Sequence, residues 1–270
     1  MRVLAITREM GSLGSFIGLE VARRLGWEYV RDDITREAAR EYDVDEERLI
    51  GAVEERPGFL EALTLSARRY QPLVAAEVLD VASRGNVVIM GRWSTLLLQR
   101  VRHAARVRVC ASRPVRVARI AERLGIGAED ARRRVEDSDE GVRARIRQVF
   151  EVEWEDPLQY DLTLVTDRIE FETAVGQVLH LLDAPEFQPS DDSRRVLAGL
   201  ALEARVRAAL KAREDTSGVE IEIRADAGRV ALAGTVRRRD ELEAALRVVR
   251  AVEGVHTVVD DVRVIDAPPR

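Results

Sequence analysis

The residues best placed to do chemistry come first in the chain. A strand pattern at residues 2–6 leads straight into Thr7-Arg8-Glu9-Met10-Gly11-Ser12-Leu13-Gly14-Ser15, and an amphipathic pattern begins near Phe16. A glycine-bearing loop between a strand and a helix can cradle phosphate, because glycines let the backbone approach closely and the helix start offers unpaired N–H groups and a positive dipole end. The loop has no lysine. Lys211 is the one lysine among 43 Lys+Arg, which leaves 42 arginines. Any phosphate bound here is therefore met by arginine and by backbone N–H groups. A tight strand-to-helix turn without a ligand remains the other reading of the same residues.

The elements that must position this loop can be read from periodicity. Short apolar runs at 3–6, 28–30, 87–90, 107–110 and 162–165 alternate with helical patterns, which implies a parallel sheet covered on both faces. The pattern Phe16-Leu19-Val21-Leu25 predicts the helix after the loop, with Gly26 as its C-cap. Residues 73–82 predict a long helix before the third strand. Pro114 stands where a first helical turn begins after Cys110, and Gly125 ends that helix. Residues 128–152 are highly charged, read either as a solvated helix pair or as a mobile lid. Residues 170–182 close the first unit. Two prolines and three acidic residues mark 184–193 as a linker. A helix, two alternating strands, a helix and a last alternating strand follow, a small α+β module over 194–266.

Bulk properties bound the function. The chain has 270 residues, 46% hydrophobic and 34% charged, with 4% aromatic, which suits a globular protein with an aliphatic core. A net charge of −5 argues against nucleic acid as a partner. Cys110 alone allows no internal disulfide and no multi-cysteine metal site. His103, His180 and His256 are isolated, so no metal ligand set is expected. No signal-peptide pattern and no apolar run near membrane-span length is expected, which makes the cytoplasm the default location and excludes a transmembrane segment.

Residues 6–14 resemble the opening of the cytidylate kinase-like proteins, whose loop often reads S-R-E-Y-G-S-G-G-R. Residues 25–30 resemble the segment after it. Val88-Ile89-Met90-Gly91-Arg92 is similar to that family's third strand, and Arg116 and Arg119 to its arginine-bearing helix. The most specific match is Trp154-Glu155-Asp156-Pro157-Leu158-Gln159-Tyr160-Asp161-Leu162, followed by Val165-Thr166-Asp167. The resemblance covers about residues 1–183. It implies an α/β P-loop nucleoside monophosphate kinase fold with a five-stranded parallel sheet and a helical lid. It also implies transfer of the γ-phosphoryl of ATP to CMP or dCMP with Mg²⁺.

In that reading Gly11, Ser12, Leu13, Gly14 and Ser15 hold the ATP phosphates. Arg92 and Asp33 hold the acceptor nucleotide. Arg8, Arg116, Arg119 and the lid residue Arg143 neutralise transferring oxygens, and Asp139 orients a lid arginine or takes part in metal binding. Four departures stand out. Ser15 occupies the place of the usual loop lysine or arginine, and Phe16 or Ile17 that of the Mg²⁺-binding hydroxyl. Asp32 and Asp33 fall one or two places off the acidic position. Val142 stands where a lid arginine is usual. Residues 228–236 (GRVALAGTV) and 252–264 (VEGVHTVVDDVRV) resemble a BON domain, which implies contact with a protein or a phospholipid surface. Three readings stay open: an active kinase with an appended module, a catalytically weak nucleotide-binding sensor that reports through that module, and an adaptor that binds no nucleotide.

Overall fold

The computed structural model describes residues 1–31, 33–45, 47, 49 and 66–265; the side chains of Asp33 and of residues 66–69 lie outside this description. The first sheet is parallel, in the order β2-β3-β1-β4-β5, from β1 (Val3–Arg8), β2 (Glu28–Val30), β3 (Val87–Met90), β4 (Ala104–Cys110) and β5 (Leu162–Val165). These are the five apolar runs of the sequence. β1 lies between β3 and β4 with Val3, Leu4, Ala5 and Ile6 fully buried, as a central strand covered on both faces requires.

Two aliphatic cores flank the sheet. One packs α1 (Gly14–Leu25) and α7 (Phe171–Asp183) on the face of Leu4, Ile6, Val88 and Val107. The other packs α2 (Asp33–Glu41) and α3 (Ser66–Arg84) against Val3, Ala5, Val87 and Ile89. A short helix, α4 (Ser94–Leu97), follows β3. α5 (Arg113–Leu124) begins with Pro114 in its first turn, and Gly26 and Gly125 cap α1 and α5 in the left-handed conformation.

The charged segment folds as one continuous helix, α6 (Ala128–Phe150), rather than as a helix pair. Its buried stripe of Ala131 and Val135 packs on Ile120 of α5. Arg132, Arg133, Arg134, Asp137, Glu140 and Arg147 stay in water, which is how so charged a sequence sustains a long helix, while Asp139 and Arg145 are buried.

The second unit consists of α8 (Asp191–Ala212), β6 (Ile221–Asp226), β7 (Arg229–Val236), α9 (Arg239–Ala251) and β8 (Thr257–Val264). Its sheet order is β6-β7-β8, with β7 antiparallel to β6 and parallel to β8. The stretch read as a linker is largely structured. Pro185–Phe187 form a 3-10 turn, Phe187 packs on the first core, and Gln188 Nε2 donates to the carbonyls of Leu182 (3.1 Å) and Ala184 (3.3 Å). Ser190 and Ser193 then form a reciprocal capping box that starts α8 inside the expected linker. Among the described residues no helix is long and apolar enough to cross a membrane.

Candidate functional site

A cleft of about 760 Å³ opens at the carboxyl ends of β1 and β3. This is the point where the chain passes from the β2–β3 side of β1 to the β4–β5 side, where open parallel sheets bind ligands. Its size suits a nucleotide-sized ligand.

The loop after β1 is tied from below. The N–H of Glu9 donates to Val109 O (3.0 Å), and the N–H of Ser12 returns to Glu9 O (3.2 Å). Thr166 Oγ1 donates to Ser12 O (3.0 Å), Arg119 Nη1 to Gly11 O (3.3 Å) and Arg116 Nη1 to Met10 O (3.5 Å). With these carbonyls engaged, the loop turns over into α1, whose first residues Gly14 and Ser15 line the cleft and whose opening N–H groups have no carbonyl inside the helix. Gly11 has φ 82°, and a Cβ there would stand 2.9 Å from the carbonyl oxygen of Arg116, so the loop can lie on α5 only with glycine. Leu13 has φ 68°, a left-handed conformation that costs a branched side chain on the order of 1 kcal/mol. Strain of this kind gathers at ligand sites.

Ser15 brings no charge to the loop, but Arg8 does. The Nε of Arg8 donates to the Ser15 hydroxyl, and both residues line the cleft. Tyr29 OH donates to Ser15 O (3.2 Å). Arg92 lines the cleft one residue beyond Gly91, whose N–H continues the sheet by donating to Ile6 O (3.1 Å). Arg119 also lines it while donating to Thr166 O (2.7 Å) and Thr166 Oγ1 (3.0 Å). Ser12 is fully buried beneath the loop.

Four of the expected site residues, Ser12, Arg116, Asp139 and Arg143, are placed apart from the cleft lining. Arg116 is buried and gives Nη1 and Nη2 to the two oxygens of Asp139 (2.9 and 2.7 Å), with Nε 3.2 Å from Glu9 Oε2 and 3.0 Å from Ala111 O. Asp139 is buried in this pair, so its oxygens are occupied by Arg116. Arg143 is half-exposed and bonds Glu155 Oε1 through Nε (2.8 Å) and Nη2 (2.6 Å). Asp33 opens α2. Glu9 accepts from Arg108 Nη2 (2.6 Å) and from the N–H of Ala111 (3.1 Å); burial nonetheless pushes its carboxyl above the usual range, against the pull of that N–H and of Arg116 and Arg108.

The 154–161 motif proves to be an anchor for the ends of β1 and β4. Trp154 is 2% exposed, donates Nε1–H to Thr7 Oγ1 (3.1 Å) and lies under the Arg108 guanidinium at 5.4 Å. Tyr160 OH donates to Trp154 O (2.6 Å), and Asp161 receives Arg106 Nε (3.1 Å) and Nη2 (2.8 Å). Asp167 accepts the N–H of Ser112 at the start of α5 (2.7 Å), and hydrogen bonding from the Ser112 side chain, then from that N–H, holds its carboxyl below the usual range. Cys110 is buried, and burial pushes its thiol up, as suits a core residue.

Sequence reasoning missed two cations of the cleft. Arg123 lines it four residues after Arg119, and the i,i+4 spacing on one helix was a usable signal. Arg31 lines it just beyond β2, whose end at Val30 the sequence marked without singling out the next residue. Thr35 and Ser94 add hydroxyls on the same side.

Comparisons with known proteins agree with this architecture. The family described as "Cytidylate kinase-like family" matches residues 3–168, and the BON domain matches residues 200–266. A protein from Methanopyrus kandleri named "Cytidylate kinase" is 28% identical over 178 residues, which cover 61% of this chain and 86% of that protein. The crystal structure of an uncharacterized protein from Eubacterium ventriosum superposes with a TM-score of 0.54 at 17% identity, covering 68% of this chain and 99% of that one, a likeness of fold. The sheet order, the loop after β1 and the family match over 3–168 together establish that this chain belongs to the cytidylate kinase-like family and carries a C-terminal BON domain.

Proposed function

We propose that the chain transfers the γ-phosphoryl of ATP to a nucleoside monophosphate, with CMP or dCMP as the acceptor. The observation that carries this reading is the convergence of Arg8, Arg31, Arg92, Arg119 and Arg123 on one cleft whose floor is the α1 start and its glycine loop. Phosphoryl transfer asks mainly for positioning and charge stabilisation, and guanidinium groups supply both. The loop and α1 hold the triphosphate. Arg8, across Ser15, replaces the absent loop cation. Arg119 and Arg123 stand on the α5 side for the transferring oxygens, and Arg92 and Arg31 on the β2–β3 side for the acceptor phosphate. Arg116 and Asp139 act through the loop and α6 as positioning residues, and Arg143 joins α6 to Glu155.

Mg²⁺ accompanies the triphosphate in this chemistry and supplies charge neutralisation between its phosphates. Among the described residues no group of three His, Cys, Asp or Glu is placed to hold a metal. Of the loop residues, Ser15 would be the one to offer such an ion a hydroxyl, and phosphate oxygens and water would supply the rest.

A second reading, nucleotide binding with little or no turnover and signalling through the BON domain, is favoured by the neutral Ser15 and by Phe16, 50% exposed where a metal-binding hydroxyl is usual. Incubating the full chain with Mg·ATP and a panel of nucleoside monophosphates, with ATP binding measured in parallel, separates the two. Turnover on CMP supports the kinase, ATP binding without turnover supports the sensor, and no ATP binding contradicts both. The BON domain is further proposed to meet a protein or phospholipid surface.

A further inference from the structure

α8 has two buried faces that belong to different units. Leu197, Ala201, Ala204 and Ala208 recur at helical spacing and join the core that contains α2 and α3. Leu202, Val206 and Leu210 join the core of the BON domain. The fit on that second side is close: a Cβ on Gly199 would lie 2.6 Å from the carbonyl oxygen of Ala225 in β6. A helix apolar on both sides is part of both bodies.

α3 is the element α8 packs along, and Val74 and Val78 of α3 line the nucleotide cleft. Ile34 and Thr35 of α2, packed on α3, line the same side. The BON domain therefore reaches the acceptor side of the cleft through two layers of helix, while the phosphate loop is held by α5 and β5. A polar contact closes the junction. Arg205 Nε of α8 lies 3.7 Å from Asp80 Oδ1 of α3, and its guanidinium reaches the turn after α9, 3.5 Å from where a Cβ of Gly254 would stand. Glu41, Glu77 and Glu253 surround Asp80 with negative charge, and Arg84 with Arg205 offset it.

We propose that α8, through Arg205 and its alanine face, is a positioning element for the acceptor side of the cleft, so that the BON domain sets acceptor affinity without touching the acceptor. This rests on the reading of the cleft as a nucleoside monophosphate site. Arg205 is a positioning residue: it holds α3 where Val74 and Val78 meet the ligand.

The test uses the full chain with Arg205→Ala, Arg205→Lys and Ala201→Leu, the last a wedge between α8 and α3. Binding of CMP and of ATP is measured separately, together with amide exchange over residues 73–79. The expected result is CMP affinity weakened about three- to tenfold in Arg205→Ala and Ala201→Leu, ATP affinity changed by less than about twofold, faster exchange over 73–79, and recovery of most of the loss in Arg205→Lys. Equal weakening of ATP and CMP, or unchanged CMP affinity in both variants, overturns the proposal. If the unaltered chain binds no CMP, the nucleotide reading fails by itself. The exchange data then decide: unchanged protection over 73–79 overturns the coupling, and selective loss there supports it.

Discussion

Arg8 and Ser15 meet across the phosphate loop, the Nε of the last residue of β1 donating to the hydroxyl of the second residue of α1. The six residues between them make the whole turn. The Arg8 guanidinium thus brings a positive charge to the rim of the cleft where Ser15 brings none. Replacing Arg8 with alanine removes it. By comparison with loss of one preorganised donor, kcat should fall about a hundredfold, or roughly 3 kcal/mol, while thermal stability changes little because Arg8 is only half-buried. Steady-state kinetics beside a thermal melt check this; equal loss of stability and activity would assign Arg8 to the fold.

Arg116 and Asp139 form the buried pair beneath the loop. Breaking a buried pair leaves one charge uncompensated, at a cost of about 3–5 kcal/mol, whereas replacing both partners by apolar groups is often neutral. Asp139→Ala should therefore lower the urea midpoint strongly, and Arg116→Met combined with Asp139→Leu should recover most of the loss. Non-recovery would show that the pair's hydrogen bonds to the loop, not its charges, supply the stability.

Trp154 ties the end of β1 to Arg108 of β4 and to Tyr160. Trp154→Ala should destabilise the chain by about 3–5 kcal/mol through the cavity it leaves. Trp154→Phe, which keeps most of the volume but loses the bond to Thr7, should cost about 1 kcal/mol. Denaturant unfolding of the two variants separates packing from hydrogen bonding.

Glu77 lies among Asp80, Arg84, Glu37 and Glu41, near Tyr42 and Arg205, and burial first, then Asp80, pushes its carboxyl up to about 7. Below its ordinary range the side chain is protonated in both folded and unfolded chains and carries no penalty. As pH rises toward 7 the unfolded chain releases the proton first, and the folded state loses stability; above that the loss is complete. The stability of the unaltered chain relative to Glu77→Gln should fall by about 1–3 kcal/mol between pH 5 and pH 7.5. Parallel pH profiles for the two proteins would show that Glu77 titrates normally.

Much of the first unit was legible because its signals are local. The five strands are short apolar runs, and Gly26 and Gly125 end α1 and α5 where the sequence marks them. What was hidden depends on contacts between distant segments. Arg116 resembles a catalytic arginine by its place on α5, and only folding brings Asp139, 23 residues away, under it. The double role of α8 was equally hidden, because alanines facing α3 and leucines facing β6 give an apolar pattern with no single direction. The end of β2 at Val30 was read correctly, yet only folding shows that Arg31, one of 42 arginines, lines the cleft.

The central claim, an arginine-built phosphate site that transfers rather than only binds, is tested most directly by following ³¹P signals of Mg·ATP and CMP with the full chain. The account predicts ADP and CDP appearing in equal amounts, at a rate reduced at least about a hundredfold in Arg92→Ala. ATP and CMP signals that persist unchanged with the enzyme present at high concentration would contradict it.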